Sequence, residues 1–244
     1  MIQFISISKC TINKIMTSNY LLTSYDQDTA FSISAQAKIL LAEMLPGCTA
    51  RRFDLPDPCF GGWDVDVCFA DHGPIVPELM LWHNPPYFTR VSAYMVESLM
   101  IMDPNLMGGQ TFSGPRITMT VPLETGPEAI ARTLHDRLIE ADYKSIVAAG
   151  TIERILAERP RLEVPWPSLR LALCAVYLGK DDEAEQLILD ALRYADRKGR
   201  ESYTGFGPLA ESYLSKLNED PDQLRKELIA TMNHNWSHYK VISR

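Results

Sequence analysis

Between Arg52 and Arg90 the chain has no lysine and no arginine. The stretch from Asp54 to Glu78 nevertheless carries six acidic residues: Asp54, Asp57, Asp64, Asp66, Asp71 and Glu78. A nucleic-acid surface needs clustered basic side chains to neutralise phosphate, so this balance and the formal charge of −7 argue against a nucleic-acid partner. Other absences narrow the field further. The five cysteines (Cys10, Cys48, Cys59, Cys68, Cys174) are odd in number and never spaced as CxxC, which speaks against a disulfide framework or a structural zinc knuckle. No run of eighteen apolar residues exists, so no membrane-spanning helix is expected. The first fifteen residues lack the charged start and sustained apolar centre of a secretory leader. Together with reduced thiols, this gives a cytoplasmic expectation. There is no GxSxG elbow, no GxxxxGK[ST] phosphate loop and no GxGxxG after a strand, and no cofactor is implied.

What is present is an ordinary globular composition, 46% hydrophobic and 23% charged, with enough length for a substantial core. The chain is organised around Gly61–Asn84. Trp63, Val65, Val67 and Phe69 alternate with Asp64, Asp66, Cys68 and Ala70, the period-two pattern of a half-buried strand. Asp71-His72-Gly73-Pro74 supplies turn chemistry, and residues 75–82 are apolar on both faces, as a central strand is. Residues 91–102 and 117–123 read as two more strands, separated by a glycine-bearing loop. Asn84-Pro85-Pro86 stops the strand before them, since proline cannot donate to a ladder. Ahead of the hairpin, Ser34 is placed as the N-cap of a helix running to Leu45, where Pro46-Gly47 ends it. Residues 51–62 read as a loop or edge segment, and residues 1–33 as strand or an extended arm.

Beyond Gly126 the period changes to that of helices. Ile130, Leu134, Leu138 and Ile139 form one apolar stripe, and further helices are expected over 151–158, 165–178 and 182–195 and after Pro208 and Pro221. The expectation is therefore α+β. An N-terminal helix and a small antiparallel sheet occupy 1–124, and an all-helical half over 125–244 packs on or beside them.

Within the helical half, the 25-residue run LALCAVYLGKDDEAEQLILDALRYA resembles a tetratricopeptide unit through Ala172, Gly179 in the turn, and Ala184, Ile188 and Ala191 in the second helix. The resemblance implies two helices in close antiparallel contact. It is a single copy, and Asp196 stands where the family's closing proline would be. Stacked units, which a solenoid needs, are not evident; with them the chain would read as an adaptor with a groove between Trp166 and Tyr213.

Two readings follow from the acidic stretch. An unbroken acidic surface with Trp63 beside it suits a basic protein partner, since complementary charge speeds and selects encounter. The expectation is a non-enzymatic binding protein of the bacterial immunity type, neutralising a basic toxin or nuclease through Asp54, Asp57, Trp63, Asp64, Asp66, Asp71 and Glu78. The alternative is a divalent-metal-dependent hydrolase. Asp64 and Asp66 share a strand face, and Asp71 and His72 would reach in from the turn. His234 and His238 are also four apart, on a helix, at metal-ligand spacing and without a third ligand in view. They are read as surface histidines near the terminus.

Overall fold

The computed structural model describes residues 27–53, 65–70, 72–83, 90–102, 117–148, 150–158, 165–198 and 205–242. The chain runs α1 (Gln27–Met44), β1 (Thr49–Phe53), β2 (Val65–Cys68), β3 (Ile75–His83), β4 (Arg90–Leu99), β5 (Ile117–Pro122), α2 (Pro127–Glu140), α3 (Tyr143–Ala148), α4 (Ile152–Glu158), α5 (Pro165–Tyr177), α6 (Asp181–Lys198), α7 (Phe206–Glu219), α8 (Pro221–His238) and β6 (Tyr239–Val241). The strands form one antiparallel sheet in the order β5-β4-β3-β2-β1-β6, so the β2–β3 hairpin occupies its middle. The fold is α+β, with an N-terminal helix, a small antiparallel sheet and a mostly helical C-terminal half.

Helices cover both faces of this sheet. Val65, Val67, Leu79, Leu81, Ala93, Met95 and Val121 pack with α1 and α2 through Ala37, Leu41, Leu45, Ile130, Leu134 and Leu138. Cys68, Val76 and the Leu99–Met102 segment pack with α4 to α8 on the other side. Strand β2 is therefore buried on both faces rather than half-buried. The alternation that suggested a solvent side instead separates two cores, and Asp66 is only partly exposed.

Three boundaries differ from the sequence expectation. The first helix begins at Gln27, and Ser34 is a buried residue inside it rather than its cap. Thr49–Phe53, at the start of the segment read as a loop, is a strand held between β2 and β6. The chain's last described strand, β6, closes that side of the sheet, so the helical half returns a strand to the sheet half. Of the α2 stripe, Ile130, Leu134 and Leu138 are buried, whereas Ile139 is 52% exposed. The strand over residues 63 and 64 and the extended arm over residues 1–26 lie outside the described residues.

In the helical half, α5 and α6 are joined by a short turn at Gly179, whose φ of 72° favours a residue without a Cβ. Ala172, Ala184, Ile188 and Ala191 are buried. Helix α8 packs back on α5, and Arg225 fastens it there by donating to Val176 O of α5 and to Asp181 Oδ1 at the start of α6, while Asp222 of its own helix accepts a third bond.

Candidate functional site

The most heavily functionalised part of the described chain lies on the sheet face beneath the end of α8. Antiparallel register sets Cys68 opposite Glu78, and alternation puts Asp66 on the same face two residues away. Tyr239 opens β6 opposite Phe53 and turns its ring inward, because α8 ends one residue earlier and the chain there becomes extended. Glu78 is only 5% exposed. Ser98 Oγ donates to its Oε1, and Tyr239 Oη donates to its Oε2 at 3.4 Å. Burial, and then the nearby Asp66 charge, push the Glu78 carboxyl up to about 8 against the pull of Ser98, Lys38 and Tyr239. Burial followed by the charges of Glu78 and Asp66 also raises the Cys68 thiol and the Tyr239 phenol well above their ordinary values.

The cation beside this group comes from the opposite layer. Lys38 lies in α1, fully buried, and its Nζ is 3.5 Å from Asp66 Oδ1. The β2–β3 register ends at Val67↔Leu79, next to Asp66, which pairs with Arg51 of β1 on its other side. Around the rim, the Arg51 guanidinium sits 5.4 Å from the Trp236 ring centre, a cation–π distance, and donates to Tyr239 O. Trp236 Nε1 donates to Gly73 O in the β2–β3 turn at 2.7 Å, and His72 of the same turn stacks loosely on the Trp236 ring. The end of α8 is thereby tied to β1, to the turn and to the carboxyl cluster.

A second buried carboxylate, Glu97 on β4, pairs with Arg154 of α4. Chemically, these groups join layers. A thiol pushed upward by burial, as Cys68 is, is a poor nucleophile, and Cys174 is pushed up to about 12 for the same reason.

The sequence-nominated residues separate on this geometry. Glu78 is interior and does not front solvent, and Asp66 is partly buried beside Lys38. These two acids therefore belong to the packing of the sheet with its helices. His72 is exposed on the turn. Asp54, Asp57, Trp63, Asp64 and Asp71 lie outside the described residues, as does the Asp64–Asp71 pairing on which the metal reading depends. Among the described residues, no group of three or more His, Cys, Asp or Glu side chains is placed to share a metal ion.

Lys38, Ser98, Glu97, Arg154 and Tyr239 were not singled out from the sequence, although some carried a signal. Lys38 interrupts the apolar run of α1, and Glu78 is the one charge within Ile75–Trp82. A lone charge in an otherwise apolar element is worth pairing in advance. No protein-family model, curated protein or solved structure matches the chain.

Proposed function

We propose that the chain is a non-enzymatic protein-binding protein that engages a basic partner through the acidic segment flanking β2. An immunity-type inhibitor of a basic toxin or nuclease is the specific form of this reading. The observation that carries it is the charge of residues 54–64. They connect two adjacent antiparallel strands, carry Asp54, Asp57 and Asp64, and contain no basic residue. A connection of that length between neighbouring strands is far longer than a hairpin requires, and long loops on a rigid sheet commonly carry function. The net negative charge of the chain is concentrated in its first half. Residues 1–124 hold twelve acidic and seven basic residues, against nineteen and seventeen in residues 125–244. Such asymmetry supports steering of a cationic partner.

Burial of Glu78 and the Lys38 contact of Asp66 narrow the contributing acids to Asp54, Asp57, Asp64 and Asp71, with Trp63 among them. The metal-hydrolase alternative needs the Asp66 carboxylate as a ligand, and that carboxylate already faces an ammonium; the binding reading is favoured for that reason. The adaptor alternative needs about three stacked helical units, and the tetratricopeptide resemblance covers a single copy.

The test is capture from a native lysate at low salt on immobilised protein, followed by a salt gradient. A stoichiometric basic protein leaving as salt rises is expected. It should be lost when Asp54, Asp57, Asp64 and Asp71 are all replaced by Asn. A captured partner whose affinity and salt dependence do not change in that variant would overturn the reading.

A further inference from the structure

His234 and His238 stand one turn apart on α8, and their Nε2 atoms are 3.2 Å from each other. The rings meet edge to face with centroids 4.5 Å apart. Neutral imidazoles at this separation share one proton, with one ring carrying it on Nε2 and the other accepting. The same separation is the bite of a chelate. Two metal–nitrogen bonds of about 2.0–2.1 Å, meeting at an angle between square and tetrahedral, span roughly 2.9–3.4 Å.

From this geometry we propose that His234 and His238 form a surface site for a first-row divalent cation that favours imidazole: Cu²⁺, Ni²⁺ or Zn²⁺. The ion takes the place of the shared proton between the two Nε2 atoms. In the chelate each ring coordinates through Nε2 and carries its proton on Nδ1. The remaining coordination positions are filled by water or by a donor from outside the chain.

Placement favours a cation here independently of the spacing. His238 is the last residue of α8, where the carbonyl ends of the helix present partial negative charge. His234 is exposed and His238 partly so, which leaves an ion access to both rings. Chelation would also brace the final turn of α8. That turn contains Trp236 and leads into Tyr239, the two side chains that fasten β6 and α8 to the sheet. Binding to the native state alone stabilises it, so occupancy of this pair is expected to raise the unfolding temperature. The inference does not depend on the acidic-segment reading and concerns a different part of the surface.

The experiment is isothermal titration of the full chain with Ni²⁺, alongside thermal unfolding with and without the ion. His234→Gln, His238→Gln and the control His135→Gln are run in parallel. One ion per chain is expected, with a rise in Tm, in the parent and in His135→Gln. Loss of both is expected in each of the other two variants, the rise in Tm being read against each variant's own metal-free value. A Cu²⁺ electron paramagnetic spectrum showing two equivalent nitrogen couplings would support the chelate. Absence of Ni²⁺ binding overturns the proposal, and so does binding that survives either single replacement, since a chelate needs both rings.

Discussion

Lys38 and Asp66 meet at 3.5 Å although they start from different layers, one in the helix over the first core and the other on the sheet face of the second. The lysine is fully buried and the aspartate side chain is 17% exposed, so little water is at hand to replace either partner. Removing one member of such a pair leaves the other charge in a poorly solvated place. Lys38→Met is expected to cost on the order of 3 kcal/mol in urea unfolding. Adding Asp66→Asn should recover part of that loss, because the stranded carboxylate is then gone. Equal stability of the single and double variants would show that the two groups do not act as a pair.

Glu78 gives the fold a pH dependence whose sign is opposite to that of most paired carboxylates. Its carboxyl rises from 4.5 to about 8 on folding, so between those values the native state holds a proton that the unfolded chain has released. The contribution to stability is fully present below about pH 4.5 and is lost as pH rises through about 8. In that window the parent should lose roughly 1 kcal/mol per pH unit from this group. Glu78→Gln keeps a neutral polar end for Ser98 and Tyr239 and should flatten the slope. Lys38→Met should move the window upward, since the ammonium pulls the Glu78 value down while Asp66 and Cys68 remain beside it. A parent slope that persists unchanged in Glu78→Gln would assign it to another group.

Much of this architecture could be read from local pattern, and the failures share one physical origin. The β2–β3 hairpin, β4 and the helices from α4 to α8 follow from alternation, apolar stripes and breakers such as Pro46-Gly47, Gly179 and Pro221. Strand β6 has three residues, and its extended state comes from pairing with β1 nearly two hundred positions earlier. No window around Tyr239 contains that information. Ser34 has the chemistry of a cap, but helix α1 extends past it because its upstream turn packs through Ala30. The same limit applies to the site. Spacing placed Asp66 and Glu78 in one acidic stretch, whereas their burial depends on Lys38, Ser98 and Tyr239, which tertiary packing brings from three other elements.

Gly150 marks how closely α4 and its approach sit on the sheet. A Cβ built there would lie 3.1 Å from Val147 O, 3.2 Å from Pro77 Cγ and 3.4 Å from Glu97 Oε1. The carbonyl and the proline ring cannot swing away cheaply, and the carboxylate is engaged with Arg154. Gly150→Ala should therefore cost about 1–3 kcal/mol, the usual range for overpacking. Chemical denaturation would detect this readily, and a neutral or stabilising result would show that the segment yields without strain.

Asn235 is a buried polar residue that serves the backbone of another element. Its Nδ2 donates to Met100 O at 2.8 Å and to Met102 O at 2.7 Å, where the chain leaves β4. Both carbonyls belong to a stretch whose side chains are fully buried, so the amide does work that solvent does not take over. Asn235→Leu keeps the branched outline of the amide in a larger side chain and removes both donors; it is expected to destabilise by about 2–4 kcal/mol. Asn235→Asp is the sharper comparison. A carboxylate is nearly isosteric, yet when ionised it only accepts, so it faces two carbonyl oxygens with no proton to offer. Its loss should exceed that of Asn235→Leu at pH 7. It should shrink on acidification, when the protonated acid regains one donor. If the two variants were equally stable at pH 7, the clamp would owe its effect to shape rather than to hydrogen bonding.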